Sequence, residues 1–353
     1  MSLEFSHIAY SYGTGRDAAR ALEDVSFTAP AGEITCLLGA SGCGKSTLLN
    51  LAAGLLAMQD GEVRLAGDAL ASPDLNPPPE ARPVGLVFQD GALFPHMTLA
   101  RNIAFGLPKE RHSEVDEWLA RVGLGGLGAR YPHQLSGGQQ QRAALARAMA
   151  PQPQVLLMDE PFASVDIVLR RALRRECRLL LRERGTTTVL VTHDPDEALD
   201  VADRIAVMEA GRIVQFGTPQ ELYETPAAPS VGAIFGGAQI VSAERRDGRY
   251  RSLFGAWPKE CVENDETGDG LKDGTCCLLV QARSLRLEPD ADGLTIRDLH
   301  PLGERVRVLL RHHTGGELTA EVPLAAAAHL AQGERYCVRP DPGSVRAFGG
   351  QGD

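Results

Sequence analysis

No stretch of this 353-residue chain is apolar for long enough to cross a bilayer, which takes about twenty consecutive residues. The opening MSLEFSHIAYSYG lacks a basic end followed by an apolar core, so no secretory signal is expected there. A basic excess is also missing. The net charge of -10 argues against a nucleic-acid partner, which would call for a basic face. The seven cysteines, Cys36, Cys43, Cys177, Cys261, Cys276, Cys277 and Cys337, are odd in number and show no metal-ligand spacing. The adjacent Cys276 and Cys277 read as two strand residues. Together these features fit a reducing cytoplasm. There is no internal repeat, no long heptad run and no low-complexity tail beyond the closing GGQGD.

What is present points to two domains, since 353 residues exceed one ordinary domain and 43% hydrophobic residues can bury a large core. Residues 1–223 alternate short apolar runs (EITCLLG, VLLMD, TTVLVTH) with amphipathic helical runs. That alternation predicts an α/β fold with a mixed, largely parallel sheet. The opening stretch with Tyr10, Tyr12 and Phe27 reads as antiparallel strand material beside it. Strand signals vanish over about 90–150, which predicts a helical subdomain. The Pro-, Ala- and Gly-rich segment 224–239 reads as a linker. Over 240–353, short strands with turns between them (YRSLFGAW, TCCLLVQARSLRL, GERVRVLLRHH, ELTAEVPL) predict a small all-β, barrel-like domain. His312 and His313 end one of these strands and enter a turn, which is a plainer reading than metal sensing with His300.

GASGCGKST, Gly39 to Thr47, fits the phosphate-loop pattern in full, with a strand before it and a helix after it. Gly39, Gly42 and Gly44 let the backbone curl, so that N–H groups along Ser41 and Cys43 point at phosphate oxygens. The helix starting near Lys45 adds its positive end. Lys45 can reach the β- and γ-phosphates, and the Ser46 hydroxyl, beside Thr47, can ligate Mg²⁺. In LLMDEP a buried strand delivers Asp159, expected on Mg²⁺ through water, and then Glu160, a candidate general base. A capping acid pair is the plainer alternative, and the upstream loop decides for catalysis. His193 ends TTVLVTH, where an imidazole can bond the γ-phosphate. Gln89 ends VGLVFQ, where it can touch Mg²⁺ and water. Tyr12 can stack on adenine, with Tyr10 as a rival. Cys43 lies among inward N–H groups and Lys45, a setting that favours thiol reactivity.

LSGGQQQR, starting at Leu135, supplies a second anion-binding helix start. Ser136 caps it, Gly137 and Gly138 expose N–H groups, and Gln139 comes next. One chain carries one phosphate loop and one such start, far apart in sequence. Two copies placed head to tail complete two ATP sites, with Asp166 at the seam.

These motifs, in this order, resemble the nucleotide-binding subunit of an ATP-binding cassette transporter, and the resemblance covers about Leu3 to Tyr223. The C-terminal region is similar to the regulatory, oligosaccharide-binding-type domain of importer ATPases. It departs where relatives carry an Arg-Pro-Glu-like stretch and this chain reads VQARSLRL, and where they carry Asn in the linker and Gln239 stands; the cassette departs at Val165 in ASVD, where relatives usually end in Ala-Leu-Asp. The resemblance implies ATP and Mg²⁺ as cofactors, a homodimer, integral membrane permease subunits and, indirectly, a solute-binding protein. It implies a peripheral location on the cytoplasmic face of the membrane. GASGCGKSTLL, ARPVGLVFQDGALFPHMT and DEPFAS look most like ferric-iron importers, so ferric iron is the expected cargo. Sulfate, polyamine, phosphonate and sugar are the alternatives. A repair or translation ATPase would carry a long coiled coil or two cassettes, and an exporter would carry fused spanning helices. Phe94 and Pro95, after Gln89, are expected to receive a permease helix.

Overall fold

The structure is a computed structural model and describes residues 1–349 apart from 14, 16, 17, 164, 248 and 264–273. Ser164 of ASVD and the last four residues of the GGQGD tail therefore lie outside the described residues. The chain divides into two compact units, Met1–Glu221 and Leu222–Asp353. Among the described residues no helix is long and apolar enough to cross a membrane.

The first unit holds two sheets. Strands β1 (Leu3–Tyr12), β2 (Ala19–Ala29), β4 (Asp60–Leu65) and β5 (Asp68–Ala71) form an antiparallel sheet in the order β2-β1-β4-β5. The second sheet runs β10-β9-β3-β8-β7-β6, from β3 (Ile34–Leu38), β6 (Val84–Val87), β7 (Val155–Asp159), β8 (Thr187–Thr192), β9 (Arg204–Glu209) and β10 (Arg212–Gly217). Its strands are parallel except β10. Every residue of β3 and β8 is buried, which explains why these segments read as unbroken apolar runs rather than alternating ones. One core cluster joins the two sheets through Phe5, Phe27, Leu37, Leu157 and Val191.

Helix α1 (Lys45–Ala53) leaves β3 through the glycine loop and ends at Gly54, φ 81°. Its last carbonyls are closed by Arg82, whose Nη1 donates to Leu51 O at 2.8 Å and Ala52 O at 2.9 Å. Between β6 and β7 come α2 (Leu99–Ala104), α3 (Val115–Arg121) and α4 (Gly137–Met149), with no strand between them. Asn102 is fully buried and fixes the preceding loop by accepting from Phe94 N at 2.8 Å. After β7 come α5 (Ile167–Arg184) and, past β8, α6 (Pro195–Val201).

The second unit begins within α7 (Pro219–Glu224) and continues into α8 (Pro229–Gly236). The 224–239 segment expected as a linker is therefore structured. Its VGAIF stretch makes α8, which packs on β11 (Ala238–Arg246) and β15 (Gly274–Gln281). Gln239 belongs to β11. Its amide donates to Thr319 O and accepts from Thr319 N, both at 2.7 Å. A six-stranded sheet adds β12 (Arg249–Ser252), β13 (Gly255–Pro258), β14 (Val262–Glu263) and β20 (Val345–Gly349). A four-stranded antiparallel sheet combines β16 (Leu285–Leu302), β17 (Arg305–Arg311), β18 (Glu317–Pro323) and β19 (Arg335–Pro340). Their apolar faces share one core around Trp257, whose indole donates to Val338 O at 3.2 Å. This is a small all-β, oligosaccharide-binding-like domain.

Candidate nucleotide site

The C-terminal ends of β3, β7 and β8 are hydrogen-bonded neighbours in one sheet, so the loops leaving these strands meet at one edge. In open α/β sheets this edge is where ligands bind. After β3 the loop turns on Gly42 (φ 85°) and Gly44 (φ 105°), backbone that side chains rarely adopt. A Cβ on Gly44 would also stand 2.5 Å from Ala21 O. Lys45 is 5% exposed, and its Nζ donates to Gly39 O at 2.8 Å and Ala40 O at 2.9 Å. Ser41 and Gly42 are exposed at the tip.

Cys43 departs from expectation. It is 7% exposed and belongs to the core, with Sγ 3.7 Å from Lys45 Nζ. Gly39 makes room for it, since a Cβ there would lie 2.8 Å from that sulfur and 2.2 Å from Met208 O. The thiol is packed under the loop rather than presented to a ligand or reagent.

Ser46 Oγ donates to Asp159 Oδ1 at 3.1 Å, which joins the loop to the end of β7. Burial pushes the Asp159 carboxyl above its ordinary range, and neighbouring Glu160 adds to this against the Ser46 hydrogen bond. Such a carboxylate favours a cation at this spot, so the residues present fit a bound divalent metal. Glu160 has φ 42°, an uncommon conformation for a non-glycine residue that costs on the order of 1–3 kcal/mol. Its N–H donates to Val191 O at 3.0 Å, and its Oε1 lies 3.0 Å from His193 Nδ1. The turn thus directs the carboxylate toward the end of β8. A cavity of about 350 Å³ opens there, lined by Glu160, Ala163, Arg170, Thr192, His193, Asp194 and Glu197.

Tyr12 is 45% exposed at the end of β1, and its hydroxyl lies 3.0 Å from Thr47 Oγ1. Its ring meets Tyr10 edge-on at 5.0 Å, while Tyr10 packs against the core. Gln89 does not end its strand. It sits exposed in the turn two residues beyond β6, and among the described residues no hydrogen bond ties it to Asp159 or Glu160. Ser136 caps α4: it accepts from Gln139 N at 3.3 Å while Gln139 Oε1 accepts from Ser136 N at 3.0 Å. This reciprocal pair fixes the helix start and leaves Gly137 and Gly138 in its first turn.

Two arginines that the motifs do not contain also shape the site. Arg147 donates to Gly91 O at 3.0 Å and Ala92 O at 2.6 Å and lies 5.5 Å from the Phe94 ring. Arg174, 4% exposed, pairs with Asp194, the residue after His193. The four-residue spacing of arginines along α5 was visible in the sequence, but its partners were not.

A phosphate-type loop, a carboxylate-tipped strand of the same sheet and a capped glycine helix start together define a nucleotide-binding cassette. A family profile described as "ABC transporter" matches residues 22–163, and one described as "TOBE domain" matches residues 284–348. The chain is 45% identical over 284 residues to the sulfate/thiosulfate import ATP-binding protein CysA 2 of Chromobacterium violaceum, covering 79% of this chain and 70% of that one. It is 39% identical to the Fe(3+) ions import ATP-binding protein FbpC 1 of Rhodococcus jostii, covering 96% of each. It is 40% identical to the spermidine/putrescine import ATP-binding protein PotA 1 of Pseudomonas aeruginosa, covering 95% and 94%. Among solved structures, the post-hydrolysis dimer of the ATP-binding cassette MJ0796 with ADP and Pi matches at TM-score 0.54 and 30% identity, over 61% of this chain and 98% of that one. The chain belongs to the ATP-binding cassette transporter family, in its group of import ATP-binding subunits.

Proposed function

We propose that this chain hydrolyses ATP as a homodimer and so drives an importer from the cytoplasmic face of the membrane. The observation that carries the reading is one sheet edge holding the Lys45 loop, Asp159 bonded to Ser46, and Glu160 3.0 Å from His193. Lys45 and the N–H groups from Gly39 to Thr47 take the phosphates. Ser46, Asp159 and Gln89 would hold Mg²⁺, which when bound neutralises charge on the phosphate oxygens. Glu160 accepts the proton of the attacking water. With a proton on each nitrogen, the His193 ring donates from Nδ1 to that carboxylate and from Nε2 to the γ-phosphate. Tyr12 offers its exposed ring to adenine.

Ser136, Gly137, Gly138 and Gln139 of a second copy would close the site, with Asp166 at the seam. The dimeric state of the solved cassette at 30% identity supports this arrangement. Membrane permease subunits and, through them, a solute-binding protein complete the importer. The groove receiving a permease helix would lie beside Phe94, whose ring packs 4.6 Å from that of Phe105, itself 63% exposed.

Ferric iron is the cargo this reading favours, from the likeness of the phosphate-loop and Gln89 segments to iron importers. A relative named for Fe(3+) import aligns over 96% of the chain. Sulfate is the second reading, favoured by 45% identity to a sulfate/thiosulfate import protein, and polyamine, phosphonate and sugar fill the same role. The test is uptake in cells lacking this gene. Labelled ferric iron should no longer enter, and maltose-type sugars should enter normally. Normal iron uptake with loss of labelled sulfate would transfer the cargo to the second reading.

A further inference from the structure

Helix α5 carries arginine at every fourth position, at Arg170, Arg174, Arg178 and Arg182, and residues four apart share a helix face. Each one is engaged. Arg170 Nη2 donates to Val165 O at 3.1 Å, in the turn before α5. Arg174 pairs with Asp194 and reaches Glu197 Oε2 at 3.4 Å and Asp200 Oδ2 at 3.3 Å. Arg178 Nη1 donates to Val201 O at 2.6 Å and Ala202 O at 3.2 Å, and its Nη2 to Asp203 Oδ1 at 2.9 Å. Arg182 also pairs with Asp203.

The row therefore grips α6 at both ends. At the far end Arg178 satisfies the last carbonyls. At the near end Arg174 holds Asp194, which caps α6 by accepting from Asp196 N at 3.0 Å and Glu197 N at 3.4 Å. Asp194 comes directly after His193. The His193 side chain is 55% exposed, so burial does not fix the ring. The backbone next to it is fixed instead, by a buried guanidinium whose planar fork tolerates little movement.

We propose that Arg174 is a positioning residue for hydrolysis: by holding Asp194 at the start of α6, it keeps the His193 imidazole against Glu160. The inference rests on the roles given to Glu160 and His193 above. Arg174 makes no hydrogen bond to either among the described residues, and it acts through Asp194.

The test is a double-mutant cycle on the full chain, with Arg174→Lys made in the parent and in a His193→Ala background. Lysine keeps the charge but loses the fork. In the parent, kcat should fall about tenfold or more, because small misplacements near the reacting groups carry losses of that order. KM for Mg-ATP should stay within about twofold, and in the His193→Ala background kcat should change by less than about twofold. An equal fold loss in both backgrounds overturns the proposal, as does a parent-like kcat in Arg174→Lys. A His193→Ala chain that hydrolyses at the parent rate overturns the reading of His193 itself, and the proposal with it. If Arg174→Lys does not fold, Asp194→Asn replaces it in the same cycle. Asparagine keeps an oxygen for the first N–H groups of α6 and turns the oxygen that Arg174 grips into an uncharged NH2 donor, which breaks that pair.

Discussion

Replacing Glu197 with glutamine should reverse part of this protein's loss of stability with pH. Glu197 is 4% exposed in α6, beside Arg174 and near Asp194 and Thr192. Burial pushes its carboxyl from the ordinary 4.5 up to about 7, against the pull of Arg174. That gap corresponds to about 3 kcal/mol between the two protonation states. The folded state holds the proton more tightly than the unfolded chain does, so between about pH 4.5 and 7 the native form carries more protons. The contribution is fully present below about 4.5 and falls as pH rises, until the whole penalty stands above about 7. Glutamine has no such titration. The stability of Glu197→Gln minus that of the parent should therefore grow from pH 5 to pH 8 by about 2 kcal/mol, since part of the gap is already lost at pH 5. Asp194 drops out of this difference: burial raises its carboxyl, but the Arg174 hydrogen bond and charge outweigh that and hold it below its ordinary value, so it titrates below this window in both chains. Urea unfolding of both chains at pH 5, 6, 7 and 8 measures the difference. Parallel stability curves across that range would show that the carboxylate is not held at a penalty, and the reasoning fails.

Two further expectations concern the loops around the site. Phe94→Asp puts a charge where a partly buried ring packs on Phe105 and Arg147, so transport in reconstituted vesicles should be lost while basal ATPase of the isolated subunit persists. Unchanged transport would place the permease contact elsewhere. Maleimide should label the half-buried Cys277 and Cys337 before the buried Cys43, as read by mass spectrometry, and leave ATPase intact at that stage. Early modification of Cys43 with loss of activity would contradict its packed position.

The loop from Gly39 to Thr47, the ends of β7 and β8, and the Ser136 helix start were legible in the sequence because their chemistry is contiguous. Backbone N–H groups, a helix start and a strand-end carboxylate are fixed by local order. What was not legible depends on packing. The direction of Cys43 is set by the space that Gly39 leaves under the loop, which spacing along the chain does not reveal. The 224–239 segment looked like a linker by its Pro, Ala and Gly content, but VGAIF has a surface to cover on β11 and β15 and folds as α8. Gln89 falls two residues past β6, a shift that apolar content alone does not resolve. Arg174 and its carboxylates lie 20 and more residues apart, so only the fold brings them together.

The central claim is that two copies close over ATP and that Glu160 activates water, and Glu160→Gln tests both at once. The amide keeps the shape of the side chain and every phosphate contact but removes the base. Static light scattering of the variant with saturating Mg-ATP should show a stable dimer, with turnover nearly abolished. A variant that stays monomeric under those conditions and hydrolyses ATP at the parent rate would contradict the account.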